Sequence, residues 1–110
     1  MKKDLAENKV LILYLLNKLP NGIKSDNLYK IISSANNINY FYFQELLTDL
    51  IESNFVGSFT NDEDTIIKIT SDGQNALTLT KSLLPGILKL KADNVFKEEL
   101  SNIAEESSII

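Results

Sequence analysis

Ile38 to Phe55 reads INYFYFQELLTDLIESNF, and within it Phe43, Leu46, Leu47, Leu50 and Ile51 stand at the i, i+3, i+4, i+7 and i+8 positions of one helix face. The stretch is therefore a helix with one side committed to a core. Its start is encoded locally. Asn39 is a residue type that accepts hydrogen bonds from the free N–H groups of a first turn, while Ile38 before it and Phe43 inside the helix form a hydrophobic staple. The face opposite the core carries Phe41, Glu45, Thr48 and Glu52, flanked by Tyr42, Gln44 and Asp49. An aromatic there fits either a surface helix with one stray Phe or the reading head of a helix-turn-helix, and periodicity alone favours the plainer of the two.

Upstream, Ser25 is placed to cap a second helix in which Leu28, Ile31, Ile32 and Ala35 recur at helical spacing along SDNLYKIISSA. Asn36 and Asn37 supply a turn between the two helices, because Asn tolerates left-handed backbone and its side chain satisfies nearby backbone groups. Two short helices joined by a tight polar turn have the outline of a helix-turn-helix. Further back, LAENKVLILYLLNKL opens near Asp4 and runs to the breaker Pro20-Asn21-Gly22, apolar on more than one side and so expected at the centre of the fold. The unbroken apolar run Val10 to Leu16 would also suit a buried strand, but its Leu-rich composition and the length of the segment favour helix.

Downstream, Val56 to Thr60 and Thr65 to Thr70 are rich in β-branched and aromatic residues and are separated by Asn61-Asp62-Glu63-Asp64, which reads as a β-hairpin. Phe59, Ile67 and Ile69 alternate with polar neighbours and are expected to share the face that leans on the helices. Thr70-Ser71-Asp72-Gly73 caps a fourth helix with Ala76, Leu77, Leu83 and Leu84 as its apolar stripe, until Pro85 interrupts and opens a fifth. In the fifth helix Leu88, Ala92, Val95, Phe96, Leu100 and Ile103 recur with helical spacing. That stripe packs either on the first helix of its own chain or on a second subunit. The terminal SSII is expected to fray.

The whole chain has 110 residues, 44% of them hydrophobic, which is one core's worth of material. It has neither Cys nor His, so a disulfide framework, a thiolate metal site and a base titrating near neutrality are all excluded. No apolar run approaches the ~20 residues of a membrane-spanning helix, and the start MKKDLAENK lacks the apolar stretch of a signal peptide. A cytoplasmic protein is the simplest expectation. The net charge is -4, and every cation is Lys. The charges are uneven along the chain: residues 1–40 hold six Lys and three acids, 41–64 hold six acids and no Lys, and 65–110 hold five Lys and six acids. Any phosphate contact must therefore draw on Lys2, Lys3, Lys24, Lys30 or Lys68.

No Gly-rich phosphate loop is present, and Asp62-Glu63-Asp64 lacks the spacing and turn glycine of a calcium loop, so a solvated hairpin tip is the better reading. Glu98-Glu99 and Glu105-Glu106 are adjacent pairs that diverge on a helix and do not make an acid–base pair. No enzymatic apparatus and no cofactor are expected.

With these elements in place, AENKVLILYLLNKL, NYFYFQELLTDLIESNFV and the junction IKITSDGQNAL resemble an uncharacterised bacterial family of winged-helix proteins akin to the PadR and MarR-like transcription regulators. The resemblance covers residues 5 to about 84, and its strongest piece is the second wing strand running into Thr70-Ser71-Asp72-Gly73. It implies a mainly α fold with a small β-hairpin: a winged helix-turn-helix over residues 1–84, with a three-helix core and a wing, followed by a C-terminal helix over 85–110 that is a candidate dimerisation element. By the same resemblance the third helix is the recognition helix, and Asn39, Tyr40, Phe41, Gln44, Glu45 and Thr48 face a major groove. The sequence departs from the pattern in having no cation on that helix and an acidic wing tip.

The function expected from the sequence is a DNA-binding transcription regulator acting on double-stranded DNA as a homodimer, with no membrane association and no effector assigned. Gln44, Asn39 and Thr48 can hydrogen-bond base edges, Phe41 can contact a thymine methyl, and Lys24, Lys30 and Lys68 can hold phosphates. Leu88, Ala92, Val95, Phe96, Leu100 and Ile103 are the candidate dimer contacts. The alternative is a winged helix that binds protein, for which Phe41 and Tyr42 among acids would be a natural anchor. A ligand-sensing regulator with a pocket at a dimer seam is a third class.

Overall fold

The computed structural model describes the backbone of residues 2–108 and the side chains of residues 7–82 and 84–98. Val10, Leu11, Ile12, Leu13, Leu15 and Leu16 are all buried, so the first helix, α1 (Lys2–Leu16), is the axle of the fold along its second half. Around it run β1 (Ile23–Lys24), α2 (Ser25–Asn36), α3 (Tyr40–Glu52), β2 (Val56–Asn61), β3 (Asp64–Ile69), α4 (Ser71–Thr80), a 3-10 turn (Lys81–Leu83) and α5 (Gly86–Ser108). The architecture is mostly helical with one small antiparallel sheet, a winged-helix-like arrangement.

The sheet has three strands in the order β1-β3-β2, not the bare hairpin expected from sequence. Two residues are too few for alternation to register, yet Ile23 pairs with Ile67 and Lys24 with Ile66. Gly22 enables this approach. Its φ is +87°, and a Cβ there would lie 2.8 Å from Ile66 Cγ2 and 2.9 Å from the Ile67 carbonyl oxygen. The chain passes straight from β1 into α2, so Ser25 is the first helical residue, and Lys24 at the cap position makes no side-chain hydrogen bond to the first turn of the helix.

Each hairpin strand reaches one residue further into the turn than expected, and β3 stops at Ile69, one residue short of Thr70. Asn61 pairs with Asp64, leaving a two-residue turn of Asp62 and Glu63, with Asp62 at φ 57°. The register also moves one side chain to the other face, because Ser58 is opposite Ile67 while Phe59 is opposite Ile66. Val56, Ile67 and Ile69 are buried, and Phe59 is exposed on the outer face.

In α3 the expected core positions Phe43, Leu46, Leu47 and Leu50 are buried, whereas Ile51 lies at the rim of the stripe and is 38% exposed. α4 ends at Thr80, and Leu84 is buried just ahead of α5, whose first turn is closed by the Pro85 carbonyl accepting from Leu88 and Lys89. As far as Phe96, the α5 stripe faces its own chain. Ala92 is wholly buried, and Leu88, Val95 and Phe96 are packed against the same core, with α5 crossing chiefly over α2 and also touching α1. The side chains of Leu100 and Ile103 lie outside the described residues. Among the described residues no helix is long and apolar enough to cross a membrane.

Candidate nucleic-acid interface

The position of α3 is determined at both ends. At its start the Asn39 side-chain oxygen accepts the Tyr42 N–H at 2.8 Å, which satisfies one of the free donors of the first turn. The turn before it uses Asn37 at φ 48°, whose N–H donates to the Ser33 carbonyl at 2.7 Å and closes α2. A polar brace then ties three helices together: Asn8, only 4% exposed on α1, donates to the Tyr42 hydroxyl at 3.2 Å and accepts from the Asn36 amide. Tyr29 of α2 packs on Phe43 and meets Tyr40 edge-on, with ring centroids 5.3 Å apart in each case.

At the far end, Thr70 joins the sheet to α3. Its N–H donates to the Phe55 carbonyl at 3.0 Å, its hydroxyl donates to the Asn54 carbonyl at 2.6 Å, and the same oxygen accepts from Gly73 N–H at 3.0 Å. Asn54 donates in turn to Asp72 at 2.9 Å. The strand-to-α4 junction thus fixes the chain leaving α3.

The outer face of α3 collects the residues expected to read a groove. Phe41, Gln44, Glu45, Thr48 and Asp49 surround a shallow depression of about 490 Å³. Phe41 is 80% exposed and Tyr40 46% exposed, while Glu45 and Thr48 face solvent and Gln44 is half-buried. Asp49 is held by Lys9 of α1 at 3.3 Å. Asn39 uses its oxygen as the helix cap, which leaves its amide N–H groups for any contact outside the fold.

The cations fall elsewhere. Lys24 and Lys68 share a second depression of about 570 Å³ between the α1–β1 loop and the outer face of the sheet, and Lys30 is exposed on α2. Lys24 is paired with Asp64 of the wing at 3.3 Å, so the acidic tip already sits on one expected phosphate contact. Phe59 and Ile66, whose side chains also line this depression, were not expected there. Pairing Phe59 with Ile66 instead of placing it beside Ile67 would have revealed them. Among the described residues no group of three or more His, Cys, Asp or Glu is placed to hold a metal ion.

With this geometry established, a family model described as a domain of unknown function, DUF4364, matches residues 8–110. The chain belongs to the DUF4364 family. No curated protein sequence matches this DUF4364 chain. The solved structure of SSV1 F-93 is similar to it with a TM-score of 0.54 at 16% sequence identity, over 88% of this chain and 90% of that chain. At such low identity the likeness is one of fold.

Proposed function

We propose that this DUF4364 chain is a DNA-binding transcription regulator of the winged-helix type, kin to the PadR and MarR-like regulators, cytoplasmic, without cofactor or enzymatic activity. The observation that carries the reading is the outer face of α3, where Phe41, Gln44, Glu45 and Thr48 stand around one depression on a helix braced at both ends. An α-helix braced in this way can lie in a major groove with such a face against the base edges. Lys24, Lys30 and Lys68 supply the phosphate contacts, and a homodimer presents two such faces to two half-sites.

A specific observation favours a second reading. Phe41 is exposed among acids, α3 has no cation and Lys24 is occupied by Asp64, all of which suit a helix that docks a protein. Selection from random duplexes at low salt, followed by two variants, separates the readings. On the DNA reading Gln44→Ala loses preference at one or two base pairs by ~1–3 kcal/mol, while Lys30→Ala weakens every sequence alike. On the protein reading neither change registers with DNA, and Phe41→Ala abolishes capture of the partner.

A further inference from the structure

We infer that α3 reads A·T base pairs, with a thymine methyl seated on Phe41 and an adenine edge on Gln44, and that Glu45 rejects guanine. The inference rests on the DNA-binding reading above and specifies the class of site. Guanine presents two acceptors to the major groove, N7 and O6, and its usual partners are Arg and Lys. Residues 40–52 contain neither.

What α3 offers is different in kind. Phe41 is an apolar ring 80% exposed, and the one apolar group on any base edge in that groove is the C5-methyl of thymine. Gln44 lies one turn further along the same depression, and its amide can accept from adenine N6 while donating to N7. Glu45 beside it is acceptor-only, so against guanine it would set acceptor against acceptor, whereas the amino groups of adenine and cytosine can satisfy it. Of the two acids lining the depression Asp49 is paired with Lys9 at 3.3 Å, which leaves Glu45 as the discriminating charge there. Tyr40, edge-on to Tyr29 at 5.3 Å and 6.4 Å from the Phe41 ring, backs the site on its N-terminal side.

The test uses the full chain and atom-level changes in the DNA. Duplexes selected at low salt are resynthesised with deoxyuridine replacing thymidine at one position at a time, which removes only the methyl group. The expected site has adjacent A·T pairs, with one thymidine whose replacement weakens binding about fourfold, the value of ~0.8 kcal/mol for one buried methyl. Phe41→Ala, at an exposed position that leaves the core intact, should bind the two duplexes equally. Glu45→Gln should accept guanine where the native chain does not. A selected site in which the base facing Phe41, Gln44 or Glu45 is an obligatory guanine, or an A·T site indifferent to deoxyuridine, would overturn the inference while leaving DNA binding in place. Enrichment of no duplex would overturn the DNA-binding reading and this inference with it.

Discussion

A methyl group on residue 73 would stand 2.0 Å from the Phe55 carbonyl oxygen and 2.8 Å from Ile69 Cγ1, so the junction that follows β3 closes only over glycine. Gly73→Ala must push α4 away from the end of α3, and the same shift breaks the Thr70 bonds to Asn54 and Phe55. The expected cost is ~3 kcal/mol or more by urea unfolding, at the upper end for overpacking. A loss of under ~0.5 kcal/mol, the range of an ordinary surface change, would show that the junction is loose. Part of this site was legible in the sequence, because a Thr followed three positions later by a backbone donor is a local rule of helix starts. The reason for the glycine was not, since the carbonyl it must clear belongs to a residue distant in the chain. Asn8 was opaque for the same reason: only the fold brings Tyr42 and Asn36 to it.

Between elements, α1 is clamped to α5 by one polar cluster. The Tyr14 hydroxyl donates to Asp93 at 2.9 Å, Lys18 pairs with Asp93 at 3.2 Å, and the Lys18 ammonium lies 4.8 Å from the Tyr14 ring centroid. Burial, reinforced by the hydrogen bond to Asp93, pushes the Tyr14 hydroxyl above its ordinary range, and Lys18 opposes the shift. The sign follows directly: a raised native pKa contributes stability that is whole below the unfolded value of ~10 and is lost as pH climbs through the native value. Tyr14→Phe should therefore cost ~0.5–1.5 kcal/mol at neutral pH, and its deficit against the native chain should shrink above pH ~10. Urea unfolding of both chains from pH 7 to 11 checks this, and a deficit constant with pH would mean that the hydroxyl does not titrate differently on folding. Helical stripes were readable here because their spacing is local, as with Leu88 to Phe96. The surface that covers a stripe is a tertiary fact, and so is a strand as short as β1.

Across the whole molecule, α5 is built into the core of its own chain, which changes what removing it should do. Ending the chain after Leu84 takes away buried Ala92 and the half-buried Leu88, Val95 and Phe96, and each of these three contributes roughly half of the ~1.5–3 kcal/mol of a fully buried side chain. Against a typical total of ~5–15 kcal/mol, the truncated chain should lose its cooperative thermal transition. A shortened chain that melts cooperatively as a monomer, beside a dimeric full chain by light scattering, would instead assign the stripe to association. The charge layout bears on function at the same scale. The outer face of α3 carries acids and no cation, Lys30 sits on α2 and Lys24 and Lys68 on the sheet, and Lys24 is already paired with Asp64. On the DNA-binding reading proposed above, phosphate attraction is therefore modest, and selectivity falls to amides, a hydroxyl and an aromatic ring.

The most direct measurement is fluorescence anisotropy of a labelled selected duplex, titrated with the full chain over a series of salt concentrations. For about six phosphates neutralised by a dimer, the slope of log K against log salt should be near -5, with non-specific duplexes binding at ~10–100 μM. Replacing Asp62, Glu63 and Asp64 by their amides should strengthen binding to all sequences by freeing Lys24. A duplex that does not bind at low salt, or binds with a slope near zero, would contradict the claim that α3 and the wing form a DNA-reading surface.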